Sequence, residues 1–175
     1  MKLNKMTSAL VLAMGLSAFG VQAADQGSGE VRFRGSIIDA PCSIHPDSED
    51  QDVYLGQVAS SQLLNEGTST PRPFNIKLEK CDVTTMSEVT VEFGGTTVTS
   101  GAKELLGITG TGAGAGIVIT DGTGTPVKMA TPTKAHTLIA GDNTLLFSAY
   151  LQGLNGVTPT TGEFQSVTNF TLSYQ

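Results

Sequence analysis

The chain has 175 residues, 39% of them hydrophobic and 15% charged, with a formal net charge of −6. An acidic balance of this kind argues against a nucleic-acid partner and against docking on anionic membrane surfaces. Two cysteines and two isolated histidines, His45 and His136, do not make a zinc set.

Lys2 and Lys5 precede an apolar run from about Ala9 to Val21, which closes on Val21-Gln22-Ala23. The pattern predicts a secretory signal peptide over 1–23, since the run is short for a transmembrane helix. Cleavage there removes both lysines and none of the 16 acidic residues, taking the net charge from −6 to −8. What remains is long enough for one domain with its own core.

Residues 24–30 (ADQGSGE) are polar and Gly-rich, with nothing to anchor them. Val31, Phe33, Gly35 and Ile37 then alternate with Arg32, Arg34 and Ser36, which predicts a strand over 31–38 with one apolar face. Gly35 on that face marks a close backbone approach. The domain organisation expected is a leader (1–23), a loose arm (24–36) and one folded domain (37–175).

Further β-rich runs follow at 52–58, 74–80, 88–93, 115–120, 126–130, 144–151 and 164–174, separated by Gly, Pro, Asn and Asp clusters. A short helical turn is expected over 60–65, with Ser60 as its cap. Asp121-Gly122 is a hairpin signal between the strands at 117–119 and 127–129. Seven or eight strands with this spacing predict an all-β antiparallel sandwich. The last run ends in Phe170-Thr171-Leu172-Ser173-Tyr174-Gln175, again with period 2. A core strand in this position is expected to lack a closing neighbour within its own chain, and an unpaired apolar edge either aggregates or receives a strand from another chain.

Cys42 and Cys81 both follow the leader, and in an oxidising compartment they should pair. A closed loop of about 40 residues contributes roughly 4 kcal/mol in the chain-entropy view. The spacing is not C-x-x-C, which disfavours a redox or metal pair. Gly110–Gly116 (GTGAGAG) superficially suggests a phosphate loop, but a strand-like Ile117-Val118-Ile119 follows where a helix would be required. Asp47, Glu49, Asp50 and Asp52 lack the glycine and terminal glutamate of a calcium loop. No G-x-S-x-G elbow or convergent catalytic set is present, so an enzyme is not expected.

Taken in order, VRFRG (31–35), SIIDAPCS (36–43), Leu78-Glu79-Lys80-Cys81, Ile117-Val118-Ile119-Thr120, Ser148-Ala149-Tyr150-Leu151, Gly162-Glu163-Phe164 and the ending with its penultimate Tyr174 carry a family pattern. Behind a signal peptide, the whole chain resembles structural subunits of chaperone–usher fimbriae, the type 1 and P pilus family. It is most like the major subunits of mannose-resistant Proteus-like fimbriae. The resemblance implies an incomplete immunoglobulin-like sandwich lacking its last strand, completed by donor-strand exchange. Val31, Phe33, Gly35 and Ile37 would then be donor side chains. Phe170, Leu172 and Tyr174, with Gly162 before them, would serve the acceptor groove and the chaperone contact, and Cys42–Cys81 would be the disulfide. Partners implied are neighbouring subunits in a head-to-tail homopolymer, a periplasmic chaperone and an outer-membrane usher, with no cofactor and no nucleic acid. The product would be exported through the periplasm into a cell-surface fimbrium for adhesion. A minor or terminator pilin and a tip adhesin are the alternative roles, although one domain leaves no room for a separate receptor-binding domain.

Overall fold

The computed structural model describes residues 27–175, and the expected leader lies outside them. The chain divides after Ile37. Residues 27–40 carry no strand, and Val31, Phe33 and Ile37 are largely exposed. Arg32 Nε donates to Glu30 Oε1 at 2.8 Å. Residues two apart share a face in an extended chain, so this pair keeps the charges opposite the apolar ladder. The expected strand at 31–38 is therefore not formed here, because a strand needs a partner backbone and this segment has none among the described residues.

The unit Ile38–Gln175 is an antiparallel sandwich. In chain order it contains β1 (Ser43–Ile44), α1 (Pro46–Glu49), a 3₁₀ helix (Ser60–Glu66), β2 (Arg72–Cys81), β3 (Glu88–Gly94), β4 (Thr97–Ser100) and β5 (Lys103–Gly107). There follow β6 (Thr109–Gly110), β7 (Ala115–Asp121), β8 (His136–Thr137), β9 (Gly141–Gly153), β10 (Phe164–Gln165) and β11 (Asn169–Tyr174). The larger sheet runs β1-β2-β9-β7-β5-β4, the smaller β11-β3-β8, and β10 pairs with β6.

Period-2 patterning places the core. Val89, Val91 and Phe93 of β3 are fully buried, while Glu88, Thr90 and Glu92 between them are not. Phe74 pairs across β2–β9 with Phe147, and Ile76 pairs with Leu145. The two sheets meet where Phe93 packs edge-on against Phe147, with ring centres 5.1 Å apart, while Phe74 stacks on Phe147 at 5.6 Å.

Several expected elements change for identifiable reasons. The 52–58 run forms no ladder: Leu55 is buried and Val53 and Val58 pack on the core, but Gly56, with φ of +81°, breaks the extended run. Residues 126–130 change partners instead of extending a strand. The Val127 N–H bonds Ile119 O of the larger sheet, and three residues later the Ala130 N–H bonds Phe93 O of the smaller one. Buried Met129 seals the core at this crossing. The 164–174 run splits because the Ser166 hydroxyl donates to Gly107 O (2.6 Å) and the Thr168 hydroxyl to Gly94 O (2.8 Å), interrupting the ladder. The helical turn is 3₁₀, starts after Ala59 and has no side-chain cap, so Ser60 does not cap it. The β4–β5 hairpin, turning at Gly101 with φ of +59°, was not anticipated.

Candidate functional site: an open groove beside the last strand

β11 pairs with β3 on one side only. Its inward residues sit opposite the most buried rungs of the fold: Phe170 faces Phe93, Leu172 faces Val91 and Tyr174 faces Val89. The β3 members of these pairs are fully buried, whereas Phe170, Leu172 and Tyr174 are each only half-buried. Paired residues share a face of the sheet, so the same layer of core is closed over β3 and open over β11.

The backbone is open along the same line. Gln175 and Glu88 exchange both hydrogen bonds, Gln175 N to Glu88 O at 3.0 Å and Glu88 N to Gln175 O at 2.9 Å. Antiparallel ladders alternate between hydrogen-bonded and non-bonded pairs. Residues 169, 171 and 173 therefore bond β3, and the N–H and C=O groups of Phe170, Leu172 and Tyr174 point to the free edge.

Across from β11 stand Ile38, Asp39, Ala40 and Ile44, and the two walls enclose a cleft of about 360 Å³. This second wall is held covalently and by hydrogen bonds. Cys42 is disulfide-bonded to Cys81 at the end of β2. The Asp82 N–H donates to Pro41 O (2.9 Å), and the His45 N–H donates to Lys77 O (3.0 Å). His45 also caps α1, its Nδ1 accepting from the Asp47 N–H at 3.1 Å. Partial burial in the cleft pushes the Tyr174 phenol up from its ordinary value.

The structure thus brings Phe170, Leu172 and Tyr174 together in one cleft. Gly162 is not among the lining residues. It lies where the chain entering β10 crosses the 111–112 backbone, with φ of +154°, and a Cβ there would stand 2.5 Å from Gly112 N. Gly35 has nothing within 4 Å of a Cβ position, so no close approach among the described residues explains it. The second wall, Ile38 to Ile44, was missed by sequence reading, because a two-residue strand gives no period and only the adjacent Ile37-Ile38 hinted at it. Among the described residues no group of three or more metal-binding side chains occurs.

The fimbrial protein family matches residues 31–175. The chain belongs to the fimbrial protein family. This fimbrial subunit is 51% identical over 177 residues to the Fimbria A protein of Serratia marcescens, and 47% identical over 177 residues to the Major MR/P fimbria protein of Proteus mirabilis. Both comparisons cover 100% of each chain. Its fold is similar to a solved chaperone–usher pilus structure, with a TM-score of 0.76 and 34% identity over 86% of this chain and 97% of the other. It is a structural pilus subunit and not an enzyme, with an incomplete immunoglobulin-like sandwich.

Proposed function

We propose that this chain is a major fimbrial subunit that polymerises by strand donation, the arm of one copy filling the groove of the next. Val31, Phe33, Gly35 and Ile37 are the donor residues, and Phe170, Leu172 and Tyr174 receive them. Gly162 serves the groove at one remove, by allowing the close crossing that leads into the last strand. The observation that carries this reading is the layer of core left open over β11 beside its fully buried β3 neighbours. The chain also contains an exposed apolar ladder of matching period.

An inserted strand adds backbone hydrogen bonds along the Phe170–Leu172–Tyr174 edge and buries several apolar side chains, each worth about 1.5–3 kcal/mol gross. Donation from each copy to the next does not close on itself, so the product is a filament. An open edge of this kind needs cover during export, which supports a periplasmic chaperone that lends a strand and an outer-membrane usher that exchanges it at the cell surface.

The test is a denaturing gel of protein sheared from the cell surface, run with and without boiling in acid. A ladder at multiples of the subunit that collapses on boiling is expected. A single unassembled band under both conditions overturns the proposal.

A further inference from the structure

The arm carries two arginines on the face opposite its apolar ladder, and β3, next inward from the acceptor strand, carries two glutamates on the face turned away from the core. We propose that Arg32 and Arg34 of one copy pair with Glu92 and Glu88 of a second copy, across the polar face of β11. In this way the pairing selects which strand enters the groove and speeds its entry. The inference rests on the strand-donation reading above.

Glu88, Thr90 and Glu92 form the outer face of β3, and both glutamates are partly exposed residues. Neither belongs to any ion pair found among the described residues. Between them and the free edge lies only the outer face of β11, which is Asn169, Thr171 and Ser173. The register sets Thr171 opposite Glu92 and Ser173 opposite Thr90. These side chains are short and neutral, so they neither block nor compensate a charge reaching over them.

A strand added at the free edge lies about 4.8 Å from β11 and so about 10 Å from β3. With Phe33 seated beside Leu172, the middle rung, its neighbours Arg32 and Arg34 fall beside Thr171 and Ser173, whichever way the arm runs. Side chains of this length reach beyond directly opposed positions. One arginine is then in line with Glu92 across Thr171, and the other is in line with Thr90 across Ser173, diagonal to both glutamates. Asp39 on the opposite wall adds a carboxylate, and no lysine or arginine lines the cleft.

In the free arm Arg32 holds Glu30, but both side chains are well exposed. Such surface pairs contribute little and exchange readily. Complementary charge at an interface chiefly raises the association rate and rejects wrong partners.

Three full-length variants test this: R32E/R34E, E88K/E92K, and the combination of all four. Assembly is followed as the growth of the gel ladder at low and high salt. Each double reversal should slow assembly about tenfold, the combined chain should recover most of the native rate, and native assembly should slow with salt. The proposal is overturned if the combined chain assembles no faster than the double reversals, or if those reversals match the native rate at every salt concentration.

Synthetic peptides spanning 27–38, added to native subunit, keep the test independent of acceptor folding. The R32E/R34E peptide should enter about tenfold more slowly than the native one. A G35W peptide separates the two readings. If native peptide enters, G35W does not, and charge reversal is silent, the charge pairing fails and strand donation stands. If G35W enters as readily as native, strand donation itself fails.

Discussion

Replacing Phe33 with alanine should leave the subunit intact and weaken the polymer. Phe33 is 92% exposed in the single chain, so its removal takes almost nothing from the subunit's own packing. Exposed positions of this kind usually shift stability by under about 0.5 kcal/mol. Seated in the groove of another copy, the ring buries roughly 150–250 Å². At about 25 cal/mol per Å² that is roughly 4–6 kcal/mol gross. The alanine methyl retains a part and the walls relax, so the expected net loss is about 3 kcal/mol for each junction. Release of subunits from sheared fibres in guanidinium should then accelerate by roughly 10²-fold, with 1.4 kcal/mol corresponding to a factor of ten. The matching measurement is guanidinium unfolding of unassembled subunit by circular dichroism, where the midpoint should be unchanged. A midpoint that falls by the same free energy would mean that Phe33 packs within its own chain. An unchanged release rate would mean that it does not enter the groove. Either outcome refutes the reasoning.

Other expectations follow from the same geometry. Gly35→Trp should be exported and fold normally, because nothing lies within 4 Å of a Cβ there, yet form no ladder on the gel. Replacing both cysteines with serine should cost about 4 kcal/mol of subunit stability by the loop-entropy estimate. Export and assembly yield should fall with it, and normal fibre yield would show that the Ile38–Ile44 wall needs no staple. The Tyr174 phenol has a folded-state pKa raised by burial, so its contribution to stability is present below the ordinary phenol value near 10 and is lost as pH rises through the raised value. Alkaline titration by tyrosinate absorbance should show a late-ionising component that Tyr174→Phe removes and that moves later still once the arm peptide is bound. A titration curve identical with and without peptide would place Tyr174 outside the insertion path.

The sequence made some parts of this molecule legible because their physics is local. Alternation at Val89-Thr90-Val91-Glu92-Phe93 and at Phe170-Thr171-Leu172-Ser173-Tyr174 encodes which face turns inward, and the observed strands keep that alternation even though the 164–174 run is split. The disulfide was legible because the sequence holds only two cysteines. What escaped depends on partners distant in sequence. Val127 and Ala130 bond different sheets, so a run with strand-like composition becomes a crossing. Ser166 and Thr168 leave the ladder because Gly107 O and Gly94 O lie within reach of their hydroxyls, which no pattern within 164–174 announces. Of the groove, sequence periodicity located one wall. The other is formed by Ile38 to Ile44, whose place follows from the Cys42–Cys81 bond and from pairing with β2.

That wall and the proposed donor arm are consecutive in the chain, since the division of the molecule falls between Ile37 and Ile38. In a fibre, tension carried by the arm enters the domain at Ile38 and meets a covalent bond at Cys42, before it reaches any strand long enough to be unzipped. The bond hands the load to Cys81 at the end of β2, which is laddered over most of its length to the thirteen-residue β9. In a fibre assembled as proposed, the arm received from a neighbour lies between β11 and this wall, so the stretch that leads into the outgoing arm also holds the incoming one. The same link that shapes the groove thus ties the giving and the receiving parts of each subunit to the longest ladder of its sheet.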